Sequence, residues 1–230
     1  MTNTIQDSKA LLQAVDVTLS YRDGQNIVYA VREVDLTVAA GEFVGILGPS
    51  GSGKTSLLYV LSGIRLAGAG QVYFNGQDID TDVVSREELR RRNFGFVFQQ
   101  YFLINYLSVL QNIVVGAPTE DAQSRERARE LVAELGMAGL EGRKPYELSA
   151  GQRQRVAIGR ALINSPRVVF ADEPTANLDP STGANVMEVL TSMRKRSSLI
   201  VVSHDEEILG HAEALYRMRD GRLERVGCPG

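Results

Sequence analysis

The run Gly48-Pro49-Ser50-Gly51-Ser52-Gly53-Lys54-Thr55 lies directly after the apolar stretch Phe43–Leu47 and leads into a helix-compatible stretch, Thr55–Leu61. A strand, a turn spaced G-x-x-x-x-G-K-[ST] and a helix leave the backbone little freedom. Successive N–H groups of the turn present themselves to a polyphosphate, Lys54 reaches its terminal phosphates, and the Thr55 hydroxyl is placed to ligate Mg²⁺. The N-terminus of the helix adds its free N–H groups and its dipole to the same anion site. The chain is therefore expected to hold a nucleoside triphosphate.

With 230 residues, 43% of them hydrophobic, the chain can bury a real core as one large α/β domain or two small ones. A formal net charge of −3 supplies no electrostatic footprint for nucleic acid, and Arg90-Arg91-Arg92 reads as a solvated helix end, so no nucleic-acid partner is expected. The one cysteine, Cys228, excludes an internal disulfide framework and a multi-cysteine metal site, which suits a reducing cytosol. The opening residues, Met1–Ala10, have no basic region followed by an apolar core and do not read as a secretory signal. No run reaches the roughly 20 apolar residues that span a bilayer. Work at a membrane would need another chain to supply the span.

Apolar runs rich in β-branched residues predict strands at Val28–Val38, Phe43–Leu47, Phe94–Phe98, Val168–Ala171 and Leu199–Val202, with helical stretches between several of them. After Pro180, Val186, Val189, Leu190 and Met193 fall on one helical face. This alternation predicts a mainly parallel sheet covered by helices. The charged segment from about Asn105 to Leu148 reads as a helical insertion, with Leu131, Val132 and Leu135 on one side. Alternation at Val31, Val34, Leu36 and Val38 suggests antiparallel strands edging the main sheet.

The run Val168–Ala171 delivers two adjacent carboxylates, Asp172 and Glu173, to its C-terminal end, where ligands sit in open α/β sheets. Asp172 is expected to hold Mg²⁺ opposite Thr55, and Glu173 to polarise a water that attacks the γ-phosphate.

Taken in order, the phosphate loop, LSAGQRQRVAIGRAL from Leu148, VVFADEPTANLD from Val168 and VVSHDE from Val201 resemble ATP-binding cassette (ABC) ATPases over nearly the whole chain. The resemblance implies a single P-loop ATPase domain over residues 1–230, α/β in class. Its parts would be a mainly parallel sheet, an N-terminal antiparallel β subdomain, and a helical subdomain over roughly 105–160. It also implies roles for individual residues. Tyr21 resembles the aromatic that stacks on adenine, and the loop Gly48 to Ser56 holds the phosphates. Gln99 resembles the glutamine that reaches Mg²⁺ and the attacking water, and His204 the histidine that bonds the γ-phosphate and orients water and Glu173. Ser149, Ala150, Gly151 and Gln152 resemble the signature that binds the γ-phosphate of the opposite subunit, and Asp179 the residue linking the two sites. Two copies would thus sandwich two ATP molecules head to tail.

Within that family the strings GFVFQQ, ADEPTANLDP and MRDGRLE look most like ATPases serving macrolide-efflux, lipoprotein-releasing and cell-division complexes. That resemblance implies a peripheral subunit on the cytoplasmic side of the inner membrane. It would drive export or mechanical transmission by a separate permease docked near Tyr101, Phe102, Leu103 and Ile104. An ATP-gated scaffold and a soluble ATPase without transport remain alternatives. Three positions depart from the subgroup: Ala150 replaces the second signature glycine, and Asn105 and Gln111 stand where proline and glutamate are usual.

Overall fold

The computed structural model describes residues 10–227, apart from the side chain of Lys195; Cys228 and the start of the chain, which carry the disulfide and leader expectations, lie outside the described residues. Two compact units emerge, one of Met1–Arg90 with Val202–Gly230, the other of Arg91–Val201.

In the first unit, β1 (Ala10–Asp23) and β2 (Asn26–Ala39) form a long antiparallel hairpin closed over Gly24, whose φ of 60° a tight turn requires. Val31, Val34, Leu36 and Val38 are all buried, although Val31 and Val34 are not spaced by two. The pairing shifts there: Glu33, at φ 49°, donates its N–H to Thr18 Oγ1 (3.0 Å), and Asp16, at φ 51°, donates to Asp35 Oδ1 (2.9 Å). These bulges reset the side-chain phase, so both halves of the strand keep their apolar residues inward. Together with β4 (Ala69–Phe74) and β5 (Gln77–Asp78), the hairpin makes an antiparallel sheet in the order β2-β1-β4-β5. The strands do not edge the main sheet, as their alternation suggested, but form a sheet of their own.

The first unit also holds β3 (Phe43–Leu47), buried throughout and paired in parallel with β9 (Ala214–Arg219), which pairs antiparallel with β10 (Arg222–Gly227). A continuous apolar run is what a strand covered on both faces needs, and burying a side chain such as Phe43 contributes about 1.5–3 kcal/mol. The helix α1 (Lys54–Leu61) follows the loop that leaves β3, and α2 (Val83–Asn93) leads toward the second unit.

The second unit pairs β6 (Phe94–Val97) in parallel with β7 (Val168–Asp172), and Phe96 stacks on Phe170 with ring centroids 5.1 Å apart. Its helices are α3 (Val109–Val114), α4 (Ala122–Glu134), α5 (Ala150–Leu162) and α6 (Pro180–Ser192). The segment 105–148, read from sequence as a helical insertion, holds α3 and α4, and α4 buries Ala128, Leu131 and Val132. On α6 the buried residues are Gly183, Val186, Met187 and Leu190, while Val189 is half-buried. The i, i+3, i+4, i+7 pattern is present but starts three residues earlier than the apolar side chains alone indicate, because a glycine opens it. One further strand, β8 (Ser198–Ser203), carries the chain from the residues of the second unit to those of the first.

Candidate active site

The phosphate loop is built as a backbone cradle in the first unit. Gly51 and Gly53 take φ of 80° and 105°, conformations that side chains rarely tolerate. A Cβ at Gly53 would collide with the Ala30 carbonyl oxygen, and one at Gly48 with the Met218 carbonyl oxygen. Lys54 is buried, and its ammonium donates to the carbonyls of Gly48 (2.7 Å) and Pro49 (3.0 Å), tying helix α1 back across its own loop. Among the described residues the buried Ser52 hydroxyl has no hydrogen-bond partner. A polar atom left unpaired inside a ring of glycine backbone fits an anionic ligand.

Two further residues expected at the site share this unit. Gly48 donates its N–H to the Ser203 carbonyl (3.2 Å), so the end of β8 is bonded to the start of the loop and His204 is the next residue. Tyr21 lies near the end of β1, 36% exposed, and does not fill the core as a packing tyrosine would.

On the second unit, Asp172 ends β7, buried, and Glu173 follows at φ 46°. A glutamate has no intrinsic preference for that region, which costs on the order of 1–3 kcal/mol, and such residues cluster at active sites. Gln99, exposed just beyond β6, accepts at its carbonyl a hydrogen bond from Asn177 Nδ2 (3.3 Å), joining the glutamine loop to the segment between Glu173 and Asp179. The Thr55 hydroxyl on the first unit, and the Gln99 amide and Asp172 carboxylate on the second, are each hard oxygen donors of the kind Mg²⁺ takes.

The residues expected to form the signature, Ser149 to Gln152, begin α5. Ser149 is its N-cap: Gln152 donates its N–H to Ser149 Oγ (3.3 Å) and its side chain accepts from the Ser149 N–H (2.9 Å), a capping box. The serine hydroxyl proton stays available to donate to an anion. Ala150 is the first helical residue, and its side chain is half-buried. Gly151 is buried, and a Cβ there would collide with Thr182 Cγ2 on α6. Close helix packing therefore requires this glycine, apart from any phosphate. Gly151→Ala is expected to lose about 1–3 kcal/mol of stability from overpacking, read by urea unfolding.

Asp179 caps α6, accepting from the Thr182 N–H (3.0 Å) and the Ser181 hydroxyl (2.6 Å). These donors hold its carboxyl well below the usual carboxylate range.

A family profile described as ABC transporter matches residues 31–176, more than half of the chain. The chain belongs to the ABC transporter family. This ABC ATPase is 40% identical to a probable export ATP-binding/permease protein of Pseudomonas fluorescens strain Pf0-1, over 94% of the chain and 34% of that protein. It is 38% identical to the macrolide export ATP-binding/permease protein MacB of Neisseria meningitidis serogroup B, over 93% and 34%. The chain thus spans about a third of the length of the curated relatives it matches. Among solved structures, a dimer of the ATP-binding cassette MJ0796 bound to ADP and Pi superimposes with a TM-score of 0.84 at 34% identity, covering 94% of this chain and 98% of that one. The cbiO1 subunit of a Clostridium perfringens ABC transporter complex superimposes with a TM-score of 0.87 at 30% identity, covering 96% and 89%.

Several residues of the ABC ATPase give no sequence signal for the part they play. Arg160, on α5, donates to the carbonyls of Tyr101 (2.8 Å) and Phe102, and burial lowers its pKa. Phe102 sits at φ 44° with its ring exposed. Asn112, fully buried on α3, accepts from the Ile104 N–H (2.7 Å) and donates to the carbonyls of Ile104, Leu107 and Ser108. The loop after Gln99 is thus held by side chains from two helices. Gln111 completes a capping box with Ser108 at the start of α3, a role its amide performs without a carboxylate.

Arg160→Ala would leave two loop carbonyls unpaired. A loss of about 1–3 kcal/mol and faster amide exchange across residues 99–108 are expected, measured by hydrogen–deuterium exchange mass spectrometry.

Beside this loop, Tyr101, Phe102, Leu103, Asn105, Tyr146 and Arg153 line a cleft of about 520 Å³. Among the described residues no helix is long and apolar enough to cross a membrane.

Proposed function

We propose that residues 1–230 act as a single ATPase domain that binds Mg-ATP on the loop Gly48–Ser56 and dimerises head to tail with a second copy. The dimer hydrolyses ATP to ADP and phosphate to drive export or mechanical transmission by a separate membrane permease. The observation that carries the reading is a glycine cradle whose lysine is already folded back over it, in a chain that also ends a buried strand on Asp172 and a conformationally strained Glu173. The names of the export relatives and the dimeric cassette structure support it.

In this reading the cradle's N–H groups and Lys54 hold the phosphates, and Tyr21 stacks on the base. Glu173 takes a proton from the attacking water, which His204 and Gln99 orient. Thr55, Gln99 and Asp172 would hold Mg²⁺, which neutralises charge on the phosphates. Ser149, Ala150, Gly151 and Gln152 complete the partner copy's site, with Asp179 at the junction.

The cleft beside Phe102 is where a permease segment would dock, since it combines exposed aromatic rings with Arg153. In this reading the ATPase sits on the cytoplasmic face of the inner membrane.

The test is a pull-down of tagged Glu173→Gln protein with Mg-ATP from detergent-solubilised membranes of the native host. A stoichiometric polytopic partner, lost when Phe102→Asp is added, is the expected result. Recovery of soluble partners alone would remove transport from the reading while leaving the ATPase.

A further inference from the structure

We propose that Arg65 is a positioning residue for the nucleobase: its guanidinium holds the Tyr21 ring for stacking, and so tunes affinity for the base of the nucleotide and not for its phosphates. The inference rests on the reading of Tyr21 as the base-stacking residue. The Arg65 Cζ lies over the Tyr21 ring, 5.1 Å from its centroid. That ring has little else to order it. Tyr21 is 36% exposed, two residues from the end of β1, and its cross-strand partner Val28 is 51% exposed. An exposed tyrosine must give up rotamer freedom before it can stack on a ligand, and a group that orders it beforehand lowers that cost.

Arg65 is exposed, but its backbone is anchored. Its N–H donates to the Tyr59 carbonyl (2.9 Å) on α1, the helix whose other end forms the phosphate site. Three residues on, Gly68 donates to the Thr18 carbonyl (2.7 Å) of β1, and Thr18 pairs with Ala69. Arg65 therefore stands on a short segment tied at one end to the phosphate-loop helix and at the other to the strand carrying Tyr21. A planar cation on one face of the ring leaves the opposite face as the one a base takes.

The experiment is calorimetric titration of Mg-ATP, and separately of magnesium tripolyphosphate, into wild type, Arg65→Ala, Arg65→Lys, Tyr21→Ala and the Arg65→Ala/Tyr21→Ala double variant. Arg65→Ala is expected to weaken ATP about 2–5-fold and to leave tripolyphosphate affinity and kcat unchanged. An ammonium can occupy the same ring face, so Arg65→Lys should stay within about twofold of wild type. Tyr21→Ala should weaken ATP about tenfold or more, with no further loss in the double variant.

An equal loss for tripolyphosphate would mean that Arg65 acts on phosphates by charge, and tighter ATP binding by Arg65→Ala would mean that it occupies the place of the base. Either overturns the inference, as does a full further loss in the double variant. Unchanged ATP affinity in Tyr21→Ala would sink the reading of Tyr21 itself, whereas a silent Arg65→Ala beside a weakened Tyr21→Ala sinks only the role of Arg65.

Discussion

Glu173→Gln is expected to bind ATP with near wild-type affinity, to hydrolyse it about 10²–10⁴ times more slowly, and to accumulate as a nucleotide-bound dimer. The amide matches the carboxylate in size and keeps the same side-chain stem, so it can follow Glu173 into its left-handed backbone position beyond β7 without new strain. What it loses is the capacity to accept a proton from water. Phosphate release in single turnover reads the chemistry, and size-exclusion chromatography with Mg-ATP reads the dimer. Hydrolysis at the wild-type rate would show that another group is the base. Glu173→Gly offers a second comparison, because glycine relieves the φ of 46° and should raise stability while still abolishing turnover.

Lys54→Ala is expected to abolish measurable ATP binding. Hydrogen bonds to charged partners contribute about 1.5–3 kcal/mol each, and this ammonium serves a polyanion, so a loss of about a hundredfold or more in affinity follows. The loop should suffer as well. With Lys54 gone, the Gly48 and Pro49 carbonyls lose the donor that lies 2.7 and 3.0 Å from them. Titration with a fluorescent ATP analogue measures affinity, and thermal unfolding separates a folded, non-binding variant from an unfolded one. Tight ATP binding by a folded Lys54→Ala protein would overturn the phosphate-loop assignment.

The candidate site is legible in the sequence because its expected parts are contiguous strings whose chemistry depends on backbone conformation. A strand, a glycine turn and a helix dictate their own geometry over fewer than twenty residues, and an apolar strand that ends in paired acids delivers them to the C-terminal end of its sheet. The bulges in β1 and β2 were not legible, since Val31 and Val34 simply look out of phase until Thr18 and Asp35 are seen bonding Glu33 and Asp16. Nor was the grip of Arg160, whose partner carbonyl on Tyr101 is 59 positions away. An arginine on a helix reads the same whether it is solvated or clamps a loop.

The order of the motifs, the strand–loop–helix at residues 43–61 and the acids at Asp172 and Glu173 were determined by the sequence alone, because local steric and hydrogen-bonding rules act within each segment. Tertiary structure alone decided that the first strands make a sheet of their own, that Gly151 is needed against Thr182, and that Arg65 lies over Tyr21. Each of these depends on which distant backbone comes close, and that is set by packing of the whole core, which no local pattern encodes.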